Sequence, residues 1–177
     1  MEIKQATLSD LESLMKIFEG AKAIMRASGN LHQWNDGYPS PDIVIKDIES
    51  GHCYVVCDDG CIIATMALIP GPDTTYTCIE GKWPDDKPYY VIHRIATLSP
   101  GRKTAVRMFE WAFRHISEKG YDTIRIDTHR DNVIMKHVLT KYGFSECGVI
   151  YLENGDPRDA YHLTRKLNDA TISVFSL

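Results

Sequence analysis

VIHRIATLSPGRKTAVRMFEWA, residues 91–112, changes its period halfway along. Tyr89 to Thr97 is a β-forming run. After the Ser99-Pro100-Gly101 turn, Ala105, Met108, Phe109, Ala112, Phe113 and Ile116 fall on one helical face, which predicts a helix from about Arg102 to Lys119 closed by Gly120. A strand that feeds a helix through a short turn gathers the helix's unsatisfied backbone N–H groups at one point. Arg102 and Lys103 add two cations there. Two readings stay open at this stage, an anion-binding nest suited to phosphate and a plain connecting turn.

Working upstream, Glu2 to Ala6 reads as a strand, and Leu8-Ser9-Asp10 offers a cap for a helix running to about Ala27, where Ser28-Gly29-Asn30 stops it. Residues 31–39, LHQWNDGYP, form an aromatic, turn-rich loop. Ser40-Pro41 opens a short helix that Gly51 ends. His52–Cys57 and Cys61–Ile69 make a hairpin across Asp58-Asp59-Gly60, and the Pro- and Gly-rich stretch 70–88 holds a possible strand at Thr75 to Glu80. Downstream, Thr123–Thr128, a helix over Asp131–Tyr142 with Gly143 beyond it, Phe144–Leu152 and Ala160–Lys166 continue as strand, helix and two strands. That order argues a mixed α/β sheet with helices on its faces.

With 177 residues, 44% of them hydrophobic, the chain suits one compact domain over residues 1–167, followed by a tail over 168–177. The tail ends in ISVFSL, an added strand, a frayed end or a partner contact that would make a homodimer. A net charge of −4 with interspersed signs argues against nucleic acid as a partner. The N-terminus has no apolar leader core, and no run approaches the roughly 20 apolar residues of a bilayer span, so no membrane and a cytoplasmic location are expected. Five scattered cysteines fit reduced thiols. Cys53, Cys57 and Cys61 lack the spacing and histidines of a zinc set, and no metal is expected.

Several local motifs together resemble the GNAT superfamily of acetyl-CoA-dependent N-acetyltransferases over nearly the whole chain. HRIATLSPGRKTAVRMFEWAF is similar to that family's strand-loop-helix for acetyl-CoA, and IDTHRDNVIMKHVLTKYGF to its next strand-helix pair. The resemblance implies a mostly antiparallel central sheet, splayed between the strands ending near Thr97 and starting near Thr123. Acetyl-CoA would lie in the splay, its pantetheine along Ile95, Ala96 and Thr97 and its pyrophosphate on Arg102, Lys103, Thr104, Ala105 and Val106. Asn132 matches a family cofactor contact, and equally reads as a plain helix cap. Three positions depart from the pattern. Pro100 stands at the usual Arg or Gln, Lys103 at the usual Gly, and Leu139 where many members carry a Tyr that protonates the departing thiolate. Tyr142 reads as packing beside Phe144.

The implied reaction is acetyl transfer to a primary amine of a small molecule or peptide in a ternary complex, with a strand N–H near Ile95 to Thr97 at the oxyanion and no protein nucleophile. The departures motivate an alternative, a catalytically degenerate CoA-binding or ligand-sensing module. Transfer needs an uncharged amine, so a base is required. His93, Glu80 and His129 are the candidates, and strand alternation would put His93 on one face with Ile95 and Thr97, opposite Arg94. Trp34 and Tyr38 of the aromatic loop, joined by Trp83, are candidates for the acceptor site, Trp34 serving equally as a hydrophobic plug. Tyr161 and His162 could close that site from the far side.

Overall fold

A computed structural model of the chain describes residues 1–98 and 103–166. Its elements run β1 (Glu2–Gln5), α1 (Leu11–Ala27), α2 (Pro41–Glu49), β2 (Cys53–Asp58), β3 (Cys61–Pro70), β4 (Glu80–Gly81), β5 (Tyr90–Thr97), α3 (Thr104–Ser117), β6 (Thr123–Thr128), α4 (Val133–Tyr142), β7 (Ser145–Tyr151) and β8 (Pro157–Thr164). The strands form one eight-stranded sheet in the order β1-β2-β3-β5-β6-β8-β7-β4. Every neighbouring pair is antiparallel except β5 and β6. This is the mixed, mostly antiparallel α/β sheet that the sequence implies.

Local chemistry accounts for most boundaries. Ser40 caps α2 by accepting from the Ile43 N–H at 3.4 Å, with Pro41 at the first helical position. Asp59 and Gly60 both take positive φ, as a two-residue hairpin between right-twisted strands requires. The predicted strand over Thr75–Glu80 does not form. Asp73 instead caps a 3-10 turn at Thr74–Tyr76, and only Glu80–Gly81 pairs, at the far edge of the sheet against β7. Packing overrides β-propensity here, because Tyr76 is buried over Val91, Ile150 and Ala160 and Trp83 packs beside it. Gly81 and Gly148 face each other in this short ladder, each with φ near +138°, and a Cβ on either would collide with the partner backbone.

The sheet carries a core on each face. Met108, Phe109, Ala112, Phe113 and Ile116 of α3 and Leu139 of α4 close over Leu68, Ile92, Ile124 and Ile126. On the other face, Leu14, Ile17 and Phe18 of α1 and Val44 and Ile48 of α2 cover Cys53, Val55 and Ala96. The irregular segment between β3 and β5 covers the remainder of that second face through Tyr76 and Trp83. Tyr142 packs beside Phe144, with ring centroids 6.0 Å apart. Among the described residues no helix is long and apolar enough to cross a membrane. The predicted tail contact and Arg102 lie outside the described residues.

Candidate active site

β5 and β6 pair only at Tyr90 with Ile124 and Val91 with Arg125, after which the two strands part. The gap opens a cavity of about 930 Å³, walled by the ends of both strands, the start of α4, the 32–38 loop and the 152–158 turn. A bulge shapes the β5 wall. Thr65 faces Ala96 and Ala67 faces His93, so Arg94 and Ile95 together oppose Met66. Arg94 takes φ +51°, and the alternation predicted for His93, Ile95 and Arg94 fails at this residue. Ile95 packs into the α3 core, while Arg94 turns to the α2 side, where Asp47 receives it at 2.6 and 2.9 Å and the Tyr38 hydroxyl at 3.0 Å. A bidentate, nearly buried ion pair of this kind fixes both the bulge and the loop that carries Tyr38.

His93 lines the cavity between two carboxylates. Its Nε2 lies 2.8 Å from Asp73 Oδ2, and its Nδ1 lies 3.9 Å from Asp127 Oδ1. Asp73 also accepts from the Thr75 N–H at 2.9 Å and the Thr75 hydroxyl at 2.6 Å. The hydrogen bond from His93, with those from Thr75, holds the Asp73 carboxyl well below the usual carboxylate range. The buried Tyr76 hydroxyl donates to Asp127 at 2.7 Å, and burial with that adjacent carboxylate pushes the phenol well above its ordinary pKa.

A polar network ties the 30–35 loop to the cavity. Gln33 Oε1 accepts from Asn30 at 2.8 Å and from Asn132 at 2.9 Å, and all three residues are buried. Asn132 also caps α4, accepting from the Met135 N–H at 3.1 Å. Its amide therefore does both the capping and the bridging. Arg26 of α1 donates to the carbonyls of Asn30 and Gln33 and to Asn35 Oδ1. Trp34 packs edge-on against Phe18, with ring centroids 5.7 Å apart, and also lines the cavity.

Ile95, Ala96, Thr97, Ala105, Asn132, Trp34, Tyr38 and His93 thus meet at one cavity. Thr104 begins α3 beside it, and its buried Oγ1 has no partner among the described residues. Lys103 precedes it in the left-handed conformation, φ +55°, that the usual glycine would take freely. Val106 lies one residue further along α3, outside the lining. Five of the catalytic and acceptor-site candidates fall elsewhere. Glu80 sits exposed on the β4 edge, because β3 and not β4 neighbours β5. Trp83 caps the second sheet face, donating from Nε1 to the Tyr76 carbonyl at 3.0 Å and stacking on Arg125. His129 is buried just outside the lining, where its Nδ1 accepts from the Asp131 N–H at 3.2 Å and desolvation lowers its pKa. Tyr161 and His162 are buried in the sheet.

Asp73, Asp127, Arg94 and Gln33 were not candidates on sequence. Alternation in Thr-Ile-Arg-Ile-Asp-Thr does set Asp127 on one face with Arg125, and the parallel pair of Val91 with Arg125 then sets His93 beside it. Asp73 comes from an irregular segment and leaves no periodic signal.

A splayed parallel pair, a cavity between its strands and a helix N-terminus beside it together form one cleft. The sequence profile of the Acetyltransferase (GNAT) family matches residues 13–144, and the chain belongs to that family. A GNAT-family acetyltransferase from Streptococcus agalactiae is 32% identical, with a TM-score of 0.76 over 94% of this chain and 96% of that one. A GNAT-family acetyltransferase from Listeria monocytogenes, 21% identical, shares the fold with a TM-score of 0.70 over 93% and 94%. So does the PaiA N-acetyltransferase of Thermoplasma acidophilum, solved with coenzyme A, at 14% identity and a TM-score of 0.67 over 93% and 98%. A comparison with curated proteins finds no match.

Proposed function

We propose that this acyltransferase moves the acetyl group of acetyl-CoA onto the primary amine of a small molecule or peptide, by direct attack in a ternary complex. His93, held at the cavity wall between Asp73 and Asp127, is the observation that carries this reading. Bound acetyl-CoA supplies an activated thioester. The chain's residues fit it: the Ile95–Ala96 edge of β5 has no β6 partner, and the unpartnered Thr104 hydroxyl stands at the α3 N-terminus, where phosphate is favoured. Asp73 accepts a hydrogen bond from the His93 Nε2–H, the tautomer that carries its lone pair on Nδ1. At 3.9 Å the Nδ1–Asp127 gap is too long for a hydrogen bond, which leaves Nδ1 open to take the amine proton while Asp127 steadies the ammonium before it is lost. A β5 N–H near Ile95 faces the developing oxyanion. Five unbonded cysteines favour a reducing compartment, the cytoplasm, and residues 1–167 act as one domain.

Thiol release from acetyl-CoA across a panel of primary amines, with mass analysis of products, tests the reading. At least one amine should gain a single acetyl group. The absence of both an acetylated product and acetyl-CoA binding by titration would remove it.

A further inference from the structure

Arg158, near the start of β8, lines the same cavity, and the transfer chemistry above leaves it unused. Its side chain is only 8% exposed. A guanidinium taken so far out of water ordinarily meets a carboxylate in a bidentate contact, since an unpaired buried charge is costly. Arg94 is the ordinary case in this very cavity, with Asp47 on two of its nitrogens. Arg158 differs. It donates to the carbonyl of its neighbour Pro157 at 2.9 Å, and its nearest carboxylate, the half-exposed Asp156, stands 3.8 Å from Nη2, beyond hydrogen-bond reach. Nε and Nη2 have no hydrogen-bond acceptor among the described residues, and neither is sealed inside the protein, so both remain accessible from the cavity that Arg158 lines.

The register places this cation close to the reacting end. Ala160 pairs with Asp127, and Arg158 lies two residues along β8 on the same sheet face, about 7 Å away along the strand. That face is the one carrying His93, because Ala160 and Val91 share the cluster beneath Tyr76 and Val91 precedes His93 by two residues. An amine at His93 and an anion at Arg158 therefore belong to one short molecule. The anion's charge is also bounded. Asp156 and Glu153 share the cavity wall, so a single negative charge matches Arg158 while a phosphate dianion would be repelled.

We propose that Arg158 binds the carboxylate of the acceptor, which makes the acceptor a small amino acid and not a simple amine. This rests on the acetyl-transfer reading above. In the step itself the amino nitrogen bonds to the acetyl carbon as the C–S bond breaks. The nitrogen's proton passes to His93, the sulfur leaves as the CoA thiolate to be protonated, and the carboxylate is unchanged.

The test compares kcat/KM for free α-amino acids and their carboxamides in the wild type, Arg158→Gln and Arg158→Lys. The wild type should favour the acid of at least one pair by about 30-fold or more, the span of losing one partner of a buried charge pair. Arg158→Gln should bring that acid down to the level of its carboxamide, and Arg158→Lys should recover part of the preference. Because Arg158 has no hydrogen-bonded carboxylate to lose, the free Arg158→Gln protein should melt no lower than the wild type, which a structural ion pair would not allow. Equal use of acids and carboxamides by the wild type, an equal loss on both in Arg158→Gln, or turnover confined to amines without a carboxylate would overturn the proposal. Titration of N-acetyl amino acids and their carboxamides in the absence of CoA separates the two readings. Acid-selective binding lost in Arg158→Gln, with no acetyl-CoA binding, would keep the carboxylate site and discard the transferase; acetyl-CoA binding with no acid selectivity would do the reverse.

Discussion

Asp73 holds three groups at once: its carboxylate takes the His93 ring and both donors of Thr75, and its own N–H reaches the Tyr89 hydroxyl at 3.1 Å. In the proposed transfer it is a positioning residue, acting on the amine only through His93. Replacing His93 by Gln keeps a hydrogen-bonding group near Asp73 but removes the base, so kcat should fall about 10²–10⁴-fold. Acetyl-CoA affinity, read by titration, should stay within a factor of about 2 of the wild type, since a general base does not hold the donor. Loss of affinity in step with kcat would recast His93 as a binding residue. Asp73 makes a second claim, on stability. Its pKa is depressed in the folded chain, so its contribution is fully present above the unfolded value of about 3.9 and is lost as pH falls below that toward the folded value. Melting temperatures should therefore drop more steeply between pH 5 and about pH 3 in the wild type than in Asp73→Asn. Parallel pH profiles for the two proteins would show that the His93 contact contributes nothing to folding.

At the scale of elements, the loop proposed to take the acceptor is held by two helices and a strand bulge. Arg26 of α1 ties the loop's carbonyls, Gln33 joins it to the cap of α4, and Tyr38 joins it to the Arg94 bulge. Gln33 is the weak point of that frame, because its Oε1 is the acceptor for two buried amides. Gln33→Leu would fill the space yet leave the Asn30 and Asn132 amides unpaired, each costing about 1–3 kcal/mol. Urea unfolding should register a loss of that size. KM for the amine should rise more than the acetyl-CoA Kd, since the loop and not β5 is displaced. A Gln33→Leu protein as stable as the wild type would mean that water replaces the bridge. The sequence already exposes part of this frame. Aromatic and amide residues crowded between two helices mark residues 31–39 as a loop with a role, whereas the partners that fix it are set by tertiary approach. The Arg94 bulge escapes any period-2 reading, because one extra residue in β5 reverses the faces that alternation assigns.

For the whole molecule, the period change within residues 91–112 made the strand and the helix after it legible, whereas the parallel pairing of β5 with β6 and the sheet order are set by tertiary approach. The segment over Tyr76 and Trp83 was not legible, since its conformation is dictated by the sheet face it covers. One consequence belongs only to the assembled chain. The sheet falls into two four-stranded halves, β1-β2-β3-β5 and β6-β8-β7-β4, and within the sheet they meet through just two residue pairs. α3 and α4 back this seam on one face, while the cavity opens it on the line between the halves. A ligand filling the splay contacts both halves and acts as a cross-link that the free protein lacks. Acetyl-CoA at 100 times its Kd should stabilise the fold by about 2.7 kcal/mol. For a chain of this size that corresponds to a rise of about 5–10 °C in melting temperature. Hydrogen exchange should slow at Tyr90, Val91, Ile124 and Arg125 as well as along the cavity, because opening the seam would then also require releasing the ligand. Protection confined to the first turn of α3 would show instead that the donor holds to the helix N-terminus alone, and that the two halves of the sheet move independently of it.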